Sequence, residues 1–197
     1  MNRSLTEGSI TKTMLLFSVP MIVGDLLQQF YNIADTFIVG RFVGSSALAA
    51  VGSAYALMIF LTSIIIGLSM GSSALFSICF GQKNMDKLRN CIFAAFLIIG
   101  AATVVLNILA FLFIDPILIF LKTPSEIYDM MRSYVFIIFT GLCATFFYNF
   151  FASLLRSIGN SFIPLVFLAV SAVLNIVLDL LFVVKFNWSV EGAAIAT

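Results

Sequence analysis

The sequence contains no histidine and few charged residues. Of its 197 residues, ten are Lys or Arg and nine are Asp or Glu, so only 10% are charged, whereas soluble domains reach about a quarter. The lack of histidine excludes the usual zinc sites and a histidine proton relay. With a net charge of +1 and no stretch that interleaves basic and aromatic residues, nucleic acid is not an expected partner.

Cysteine is equally scarce. Cys79, Cys91 and Cys143 stand alone without the spacing of metal ligands, so we interpret them as small apolar residues. No cofactor is expected from this inventory.

The first apolar run is too long for a signal peptide and carries carboxylates, which predicts a retained first helix.

Long apolar runs dominate the remaining sequence. Hydrophobic residues make up 62% of the chain, and the mean hydropathy is +1.16. Five runs exceed the roughly 20 residues that a helix needs to cross a bilayer. We therefore predict an all-α membrane protein, a polytopic bundle in which residues 1–197 form one lobe. Its predicted spans are 14–39, 47–80, 91–114, 133–155 and 162–184, and residues 192–197 begin a sixth.

Basic residues indicate how the bundle is oriented. If the N-terminus is cytoplasmic, the inner side carries six Lys and Arg residues and the outer side carries four. Three of the six, Lys83, Lys87 and Arg89, lie in the short polar loop between the second and third spans. We expect a multi-pass protein of the plasma membrane with its N-terminus inside the cell.

The first span carries a narrow polar stripe. At about 100° per residue, its polar side chains fall within a third of the helix circumference. They are Asp25, Gln28, Gln29, Asn32, Asp35 and Thr36. Lipid cannot satisfy such groups, so the stripe must face other helices or a water-filled cavity. Hydrogen bonding between helices is the alternative explanation of the stripe, but two carboxylates favour the cavity.

A second polar pair occurs in the fifth span. Asn175 and Asp179 lie one turn apart on one helix face. At 1.5 Å per residue, Asp35 and Asp179 reach similar depths, roughly 31 Å and 26 Å from the starts of their helices. Thr197 enters from the same side on the sixth helix. These four residues are expected to form one oxygen-rich site for Na⁺ or a shared proton, with Asp35 and Asp179 as the metal-binding carboxylates.

Small and aromatic residues allow weaker predictions. Pro20 removes a hydrogen bond inside the first helix and permits a kink or a hinge. Gly67 and Gly71 form a small-residue surface that is expected to pack closely against another helix. The 22 phenylalanines are expected mostly to face lipid.

Several of these motifs resemble the multidrug and toxic compound extrusion (MATE) family, in its DinF-like prokaryotic branch. The resemblance extends over essentially the whole chain. Its motifs are Pro20 with Gln28, Tyr31-Asn32, Ala34-Asp35-Thr36, residues 48–52 (LAAVG), Leu155-Arg156 with Gly159-Asn160, residues 175–179 (NIVLD), and Gly192-Ala193-Ala194 through Thr197.

The resemblance implies a twelve-helix antiporter of two six-helix lobes, of which this chain is most of the first. It implies that Asp35, Asn175, Asp179 and Thr197 bind the coupling cation. It also implies a substrate cavity formed by Gln28, Tyr31, Tyr134 and Asn149. We add Asn32 to this set because it lies on the same polar stripe. Pro20 would be a hinge. The chain departs from the family pattern at Ala152, where some members have asparagine, and at Asp25, where an uncharged residue is usual.

The expected function is efflux of drugs or organic cations, coupled to Na⁺ or H⁺ entry. A lipid-linked saccharide flippase of the same superfamily is the alternative, although its cavity would need several arginines for pyrophosphate. An intramembrane transferase would need clustered acidic motifs that the sequence lacks. A non-transporting fragment of a longer transporter is the remaining possibility. Expected partners are the drugs, membrane lipid, and a missing C-terminal lobe or a second copy.

The charge asymmetry predicts which loops face outward. In a variant without the three native cysteines, a membrane-impermeant thiol reagent added to intact cells should label Ser125→Cys and leave Asn84→Cys unlabelled. Both cysteines should react after the cells are permeabilised, which controls for accessibility. The reverse pattern in intact cells would invert the proposed orientation.

Overall fold

The computed structural model describes residues 9–197, so Arg3 and the rest of the polar start used in the charge count lie outside the described residues. This part of the chain is helical, without strands. In chain order the helices are α1 (Ile10–Phe42), α2 (Ser45–Gly81), α3 (Met85–Leu112), α4 (Ile114–Phe120), α5 (Tyr128–Thr140), α6 (Leu142–Ser157), α7 (Phe162–Asp179) and α8 (Ser189–Ala196).

Four helices are long and apolar enough to cross a membrane: α1, α2, α3, and α7 with its continuation to Lys185. The pair α5 and α6 forms a fifth span that bends by 45° at Gly141. Helix α1 packs mainly on α7, α2 packs on α3, α5 and α6, and α8 fills the space beside α5 and α7. The predicted all-α bundle of five spans and the start of a sixth is therefore confirmed.

The connection between α1 and α2 is shorter than predicted. We expected a turn from Gly40, but Gly40 and Arg41 are helical, and only Val43 and Gly44 separate the two helices. Gly44 has φ of 120°, a conformation that residues with a Cβ atom rarely adopt. The turn therefore depends on this one glycine.

Two predicted straight spans contain local breaks. The predicted fourth span begins five residues early, at Tyr128, and bends at Gly141. The predicted fifth span is α-helical only to Asp179, and Leu180–Lys185 form a π-helical turn. The N–H of Phe186 donates to the carbonyl of Leu181 at 3.0 Å, five residues back. Turns of this kind frequently occur at functional positions in helices.

The short helix α4 is attached to α5 by polar contacts. Arg132 Nε donates to Asp115 Oδ1 at 2.8 Å, and the Tyr128 hydroxyl donates to the same oxygen at 3.0 Å. The guanidinium of Arg132, helped by Tyr128, holds the pKa of Asp115 below its ordinary value. Since this ion pair is exposed, it orients α4 at the membrane surface more than it stabilises the fold.

Phenylalanines form much of the core rather than only facing lipid. Phe76, Phe96, Phe146 and Phe150 pack with ring centroids 5.4 to 6.1 Å apart, within the range of favourable aromatic pairs. They connect α2, α3 and α6. These four core residues are exceptions to the prediction that the phenylalanines mostly face lipid, since most of the 22 are exposed on the surface of the bundle.

The small-residue surface of α2 has no neighbour among the described residues. A Cβ atom built on Gly67 or Gly71 meets nothing within 4 Å. The expected close packing at these glycines therefore does not occur within residues 9–197. Gly192 of α8 is the position where a glycine is needed, since a Cβ atom there would lie 3.1 Å from the Cβ atoms of both Phe182 and Trp188.

We expect Gly192→Ala to destabilise the bundle by about 1 to 3 kcal/mol, since overpacking forces neighbouring side chains or backbone to shift. Gly71→Ala is the matched control. It should leave the protein as stable or slightly more so, because alanine favours helix. Thermal unfolding in detergent measures both. Equal midpoints for the two variants would contradict the close packing of α8 on the π-helical turn.

Candidate functional site

A cavity of about 710 Å³ opens between α1 and α2, in the half of the bundle near the turn that joins them. Tyr134 of α5 and Thr197 after α8 also line it. The polar side chains on its wall are Gln29, Asn32, Asp35, Thr36, Arg41, Tyr55, Tyr134 and Thr197. Part of the polar stripe of α1 therefore faces a cavity, as we predicted from the two carboxylates that the stripe carries.

Asp35 lies at the buried edge of the stripe, next to the side of α1 that packs against the rest of the bundle. It is 8% exposed, whereas Asp25, Gln28 and Gln29 on the same stripe are exposed. The stripe thus runs along the margin between the packed side of α1 and its open side. This places one carboxylate where the cavity meets the interior of the bundle.

Asp179 and Asn175 lie behind this wall on α7. Asp179 is completely buried and Asn175 is 6% exposed. Asn175 Nδ2 donates to the carbonyl oxygen of Ala196 at 3.2 Å, which holds the end of α8, and hence Thr197, beside α7. Helix α1, which carries Asp35, packs on α7, which carries Asp179. The structure therefore brings together the helices that carry the four residues of the predicted cation site.

Several oxygen atoms at this site have no hydrogen-bond partner in the part of the chain that the structure describes. They are Asp35 Oδ1, Asn175 Oδ1 and both carboxylate oxygens of Asp179. Buried polar atoms are normally satisfied, and each exception needs an explanation. Carboxylate, amide and hydroxyl oxygens are the ligands that hard cations prefer, so these atoms suit Na⁺ or a proton.

This donor set differs from that of a transition-metal centre. In the part of the chain that the structure describes, no three His, Cys, Asp or Glu side chains come together to hold a metal ion. Two carboxylates with an amide and a hydroxyl offer oxygen atoms alone.

The predicted substrate residues divide into two groups. Asn32 and Tyr134 line the cavity, whereas Gln28, Tyr31 and Asn149 do not. Asn149 Nδ2 donates to the Thr145 carbonyl of its own helix at 2.8 Å. A role for these three residues in substrate binding stays a prediction. Pro20 lies inside an unbroken α1, so its hinge role likewise stays a prediction.

Sequence reasoning missed the contribution of α2 to the cavity. Tyr55 and Met58 line it together with Leu48 and Val51. They belong to an apolar helix without a polar stripe, so periodicity gave no signal. The only hint was the tyrosine itself, since Tyr55 is a polar group in an otherwise apolar segment.

Comparison with known proteins adds a decisive observation. The family model described as MatE matches residues 20–181. This chain belongs to the MATE family. Members of the family are membrane transporters rather than enzymes, and the chain is an integral membrane protein with the fold of the family's N-terminal half.

The relatives confirm this assignment. The chain is 30% identical to the "Probable multidrug resistance protein YpnP" of Bacillus subtilis (strain 168) over 98% of this chain and 43% of that protein. It is 30% identical to the "Multidrug export protein MepA" of Staphylococcus saprophyticus over 97% of this chain and 42% of the relative. The chain therefore spans less than half the length of these relatives.

A solved structure agrees closely in fold. The chain superposes on the protein in "Crystal structure of MATE in complex with MaD5" with a TM-score of 0.92 and 26% identity, covering all of this chain and 44% of that one. The helices that surround Asp35, Asn175 and Asp179 therefore have the arrangement of a MATE transporter lobe.

The bond between α7 and α8 generates a prediction. Asn175→Ala should lower stability by about 1 kcal/mol, since it removes the link to Ala196, and should make α8 more sensitive to protease. Asn149→Ala is the matched control, because its amide contacts only its own helix. Thermal unfolding and limited proteolysis measure the two. If Asn149→Ala cost as much as Asn175→Ala, the interhelical bond would not hold α8.

Proposed function

We propose that this chain forms the N-terminal lobe of a multidrug efflux transporter, in which Asp35 and Asp179 couple drug export to the entry of Na⁺ or protons. The observation that carries the proposal is the pair of buried carboxylates with unpartnered oxygens beside a cavity. The transport function itself is proposed from the MATE fold and from the relatives, whose names describe multidrug resistance and multidrug export.

Coupling follows from the cost of burial. A buried carboxylate without a partner is unfavourable by several kcal/mol, so the site favours a bound cation or proton over an empty charged state. Binding of the cation and binding of a positively charged drug would then compete for the same negative charge. An antiporter requires such competition, because each ligand must displace the other.

Alternating access requires a second body. Transporters of this kind move one repeat against another around a central site, and the described chain leaves the polar stripe of α1 partly uncovered. A C-terminal lobe, or a second copy of the chain, would cover it. We propose that the protein resides in the plasma membrane with its N-terminus inside, and that the isolated chain does not transport.

The flippase alternative fits the cavity less well. Arg41 is the one arginine on the described wall of the cavity, and Arg132 is paired with Asp115. A pyrophosphate would need several arginines that converge. Aromatic side chains such as Tyr55 and Tyr134, together with Asp35, suit an organic cation better, since the faces of aromatic rings attract cations.

The test measures efflux of a fluorescent cationic dye by the complete transporter that contains this chain, with the Na⁺ and H⁺ gradients set independently. Asp35→Asn and Asp179→Asn should each abolish gradient-driven efflux, because each removes a charge that the coupling ion needs. The double variant should lose little more, since coupled groups act as a unit. Asp115→Asn removes a carboxylate outside the cavity and should retain efflux.

Two results would contradict this proposal. Full efflux by both single variants would reduce Asp35 and Asp179 to packing residues. Dye export against its gradient by the 197-residue chain alone would show that a second lobe is unnecessary. Transport of a lipid-linked saccharide in place of the dye would favour the flippase.

A further inference from the structure

A second cavity, of about 890 Å³, lies at the opposite end of the bundle, between the start of α3 and the middle of α6. Its wall on α3 is a single helix face, in which Leu88, Arg89, Ile92, Phe93 and Phe96 recur every three or four residues. Phe150 and Phe151 of α6 form the other wall. None of these residues belongs to the cavity beside Asp35.

The aromatic wall is rigid on one side and open on the other. Phe96 and Phe150 pack edge to face with centroids 5.4 Å apart, and Phe150 is 1% exposed because it also contacts Phe76. Phe93 and Phe151 remain 65% and 48% exposed. The cavity is thus a preformed apolar groove that opens on the outer surface of the lobe.

The rim of the groove is polar and has positive charge in excess. Arg89 lines it together with Asp86 and Asn90, and Lys83 and Lys87 lie in the same short segment. This segment therefore has three cations and one carboxylate. Among the described residues, no carboxylate lies within ion-pair distance of Arg89, so its guanidinium is available to an external anion.

The depth of the groove identifies what surrounds it. Helix α3 begins at Met85, and the apolar run predicted to span the membrane begins at residue 91, so Arg89 is expected near the boundary between headgroups and hydrocarbon. The phenylalanines lie one to two turns deeper along α3. At this depth the available molecules that join an anionic head to an apolar tail are phospholipids, and interfacial basic pockets of this kind suit their headgroups.

We propose that this groove binds an anionic phospholipid, of the phosphatidylglycerol class. Arg89 donates hydrogen bonds to the phosphate, a geometry for which a guanidinium is well suited. Asp86 and Asn90 accept hydrogen bonds from the glycerol hydroxyls. One acyl chain lies against Phe93, Phe96 and Phe151. The site is independent of the proposed transport function.

The experiment places a fluorescent probe in the groove. Phe93→Trp keeps an aromatic ring there, and Trp188→Phe removes the native tryptophan at the other end of the bundle. The protein is reconstituted in phosphatidylcholine vesicles with increasing bromine-labelled phosphatidylglycerol, which quenches a tryptophan that it contacts. About 0.5 M NaCl shortens the screening length to roughly 4 Å and suppresses diffuse attraction.

We expect bromine-labelled phosphatidylglycerol to quench the probe at about a tenfold lower mole fraction than bromine-labelled phosphatidylcholine. Arg89→Gln should remove this preference, because a hydrogen bond to a charged group is worth about a factor of ten or more. Lys87→Gln is the matched control. It removes the same charge two residues away, outside the groove, and should change the preference less than twofold.

Other outcomes would overturn the proposal. Equal losses from Arg89→Gln and Lys87→Gln would mean diffuse surface attraction rather than a site. A preference for phosphatidylethanolamine would contradict the anionic headgroup. Relief of quenching by soluble glycerol phosphate would show that the acyl chain is not needed. Circular dichroism of each variant confirms that the helices are intact, so that a lost preference reports on the groove.

Discussion

The need to satisfy polar groups without water determines how this bundle is built. Asp179 is fully buried, and neither of its carboxylate oxygens has a hydrogen-bond partner. In an apolar medium such a group is tolerated only where neighbouring polar atoms or a cation share its charge, or where a proton neutralises it. The neighbours come from three different helices: Asp35 from α1, Asn175 from α7 itself, and Thr197 beyond α8. The packing of α1 and α8 on α7 is therefore the arrangement that makes Asp179 possible.

Local departures from regular helix occur beside this site. The π-helical turn begins immediately after Asp179, and the bend at Gly141 lies two turns after Tyr134. The bend lets one span serve two purposes. Its α5 half presents Tyr134 to the polar cavity, whereas its α6 half presents Phe146 and Phe150 to the aromatic core. At about 100° per residue, Phe146 and Phe150 already lie roughly 120° and 160° around the helix from Tyr134, and the bend adds to that separation.

The sequence predicted the spans and most of the site because hydropathy and helical periodicity are strong signals in a membrane protein. Asp35, Asn175 and Asp179 stood out as polar residues among apolar neighbours, and the rise per residue gave their depths. The bend at Gly141 and the π-helical turn were not predictable, since both depend on contacts with other helices. Tyr55 was missed for the same reason: its role comes from the position of α2 beside α1, which no local pattern records.

The packing of α1 on α7 also has a consequence for biosynthesis. Helix α1 precedes its main partner α7 by more than 100 residues, which at 5 to 20 residues per second corresponds to a delay on the order of 10 s. The Asn175 link between α7 and α8 joins residues only 21 apart, so its two ends are synthesised close together in time. Helix α1, the least apolar of the four long spans, must therefore wait in the membrane or in the insertion machinery with its carboxylates unpaired. Asp35 therefore meets its neighbours on α7 only after most of this chain has been made.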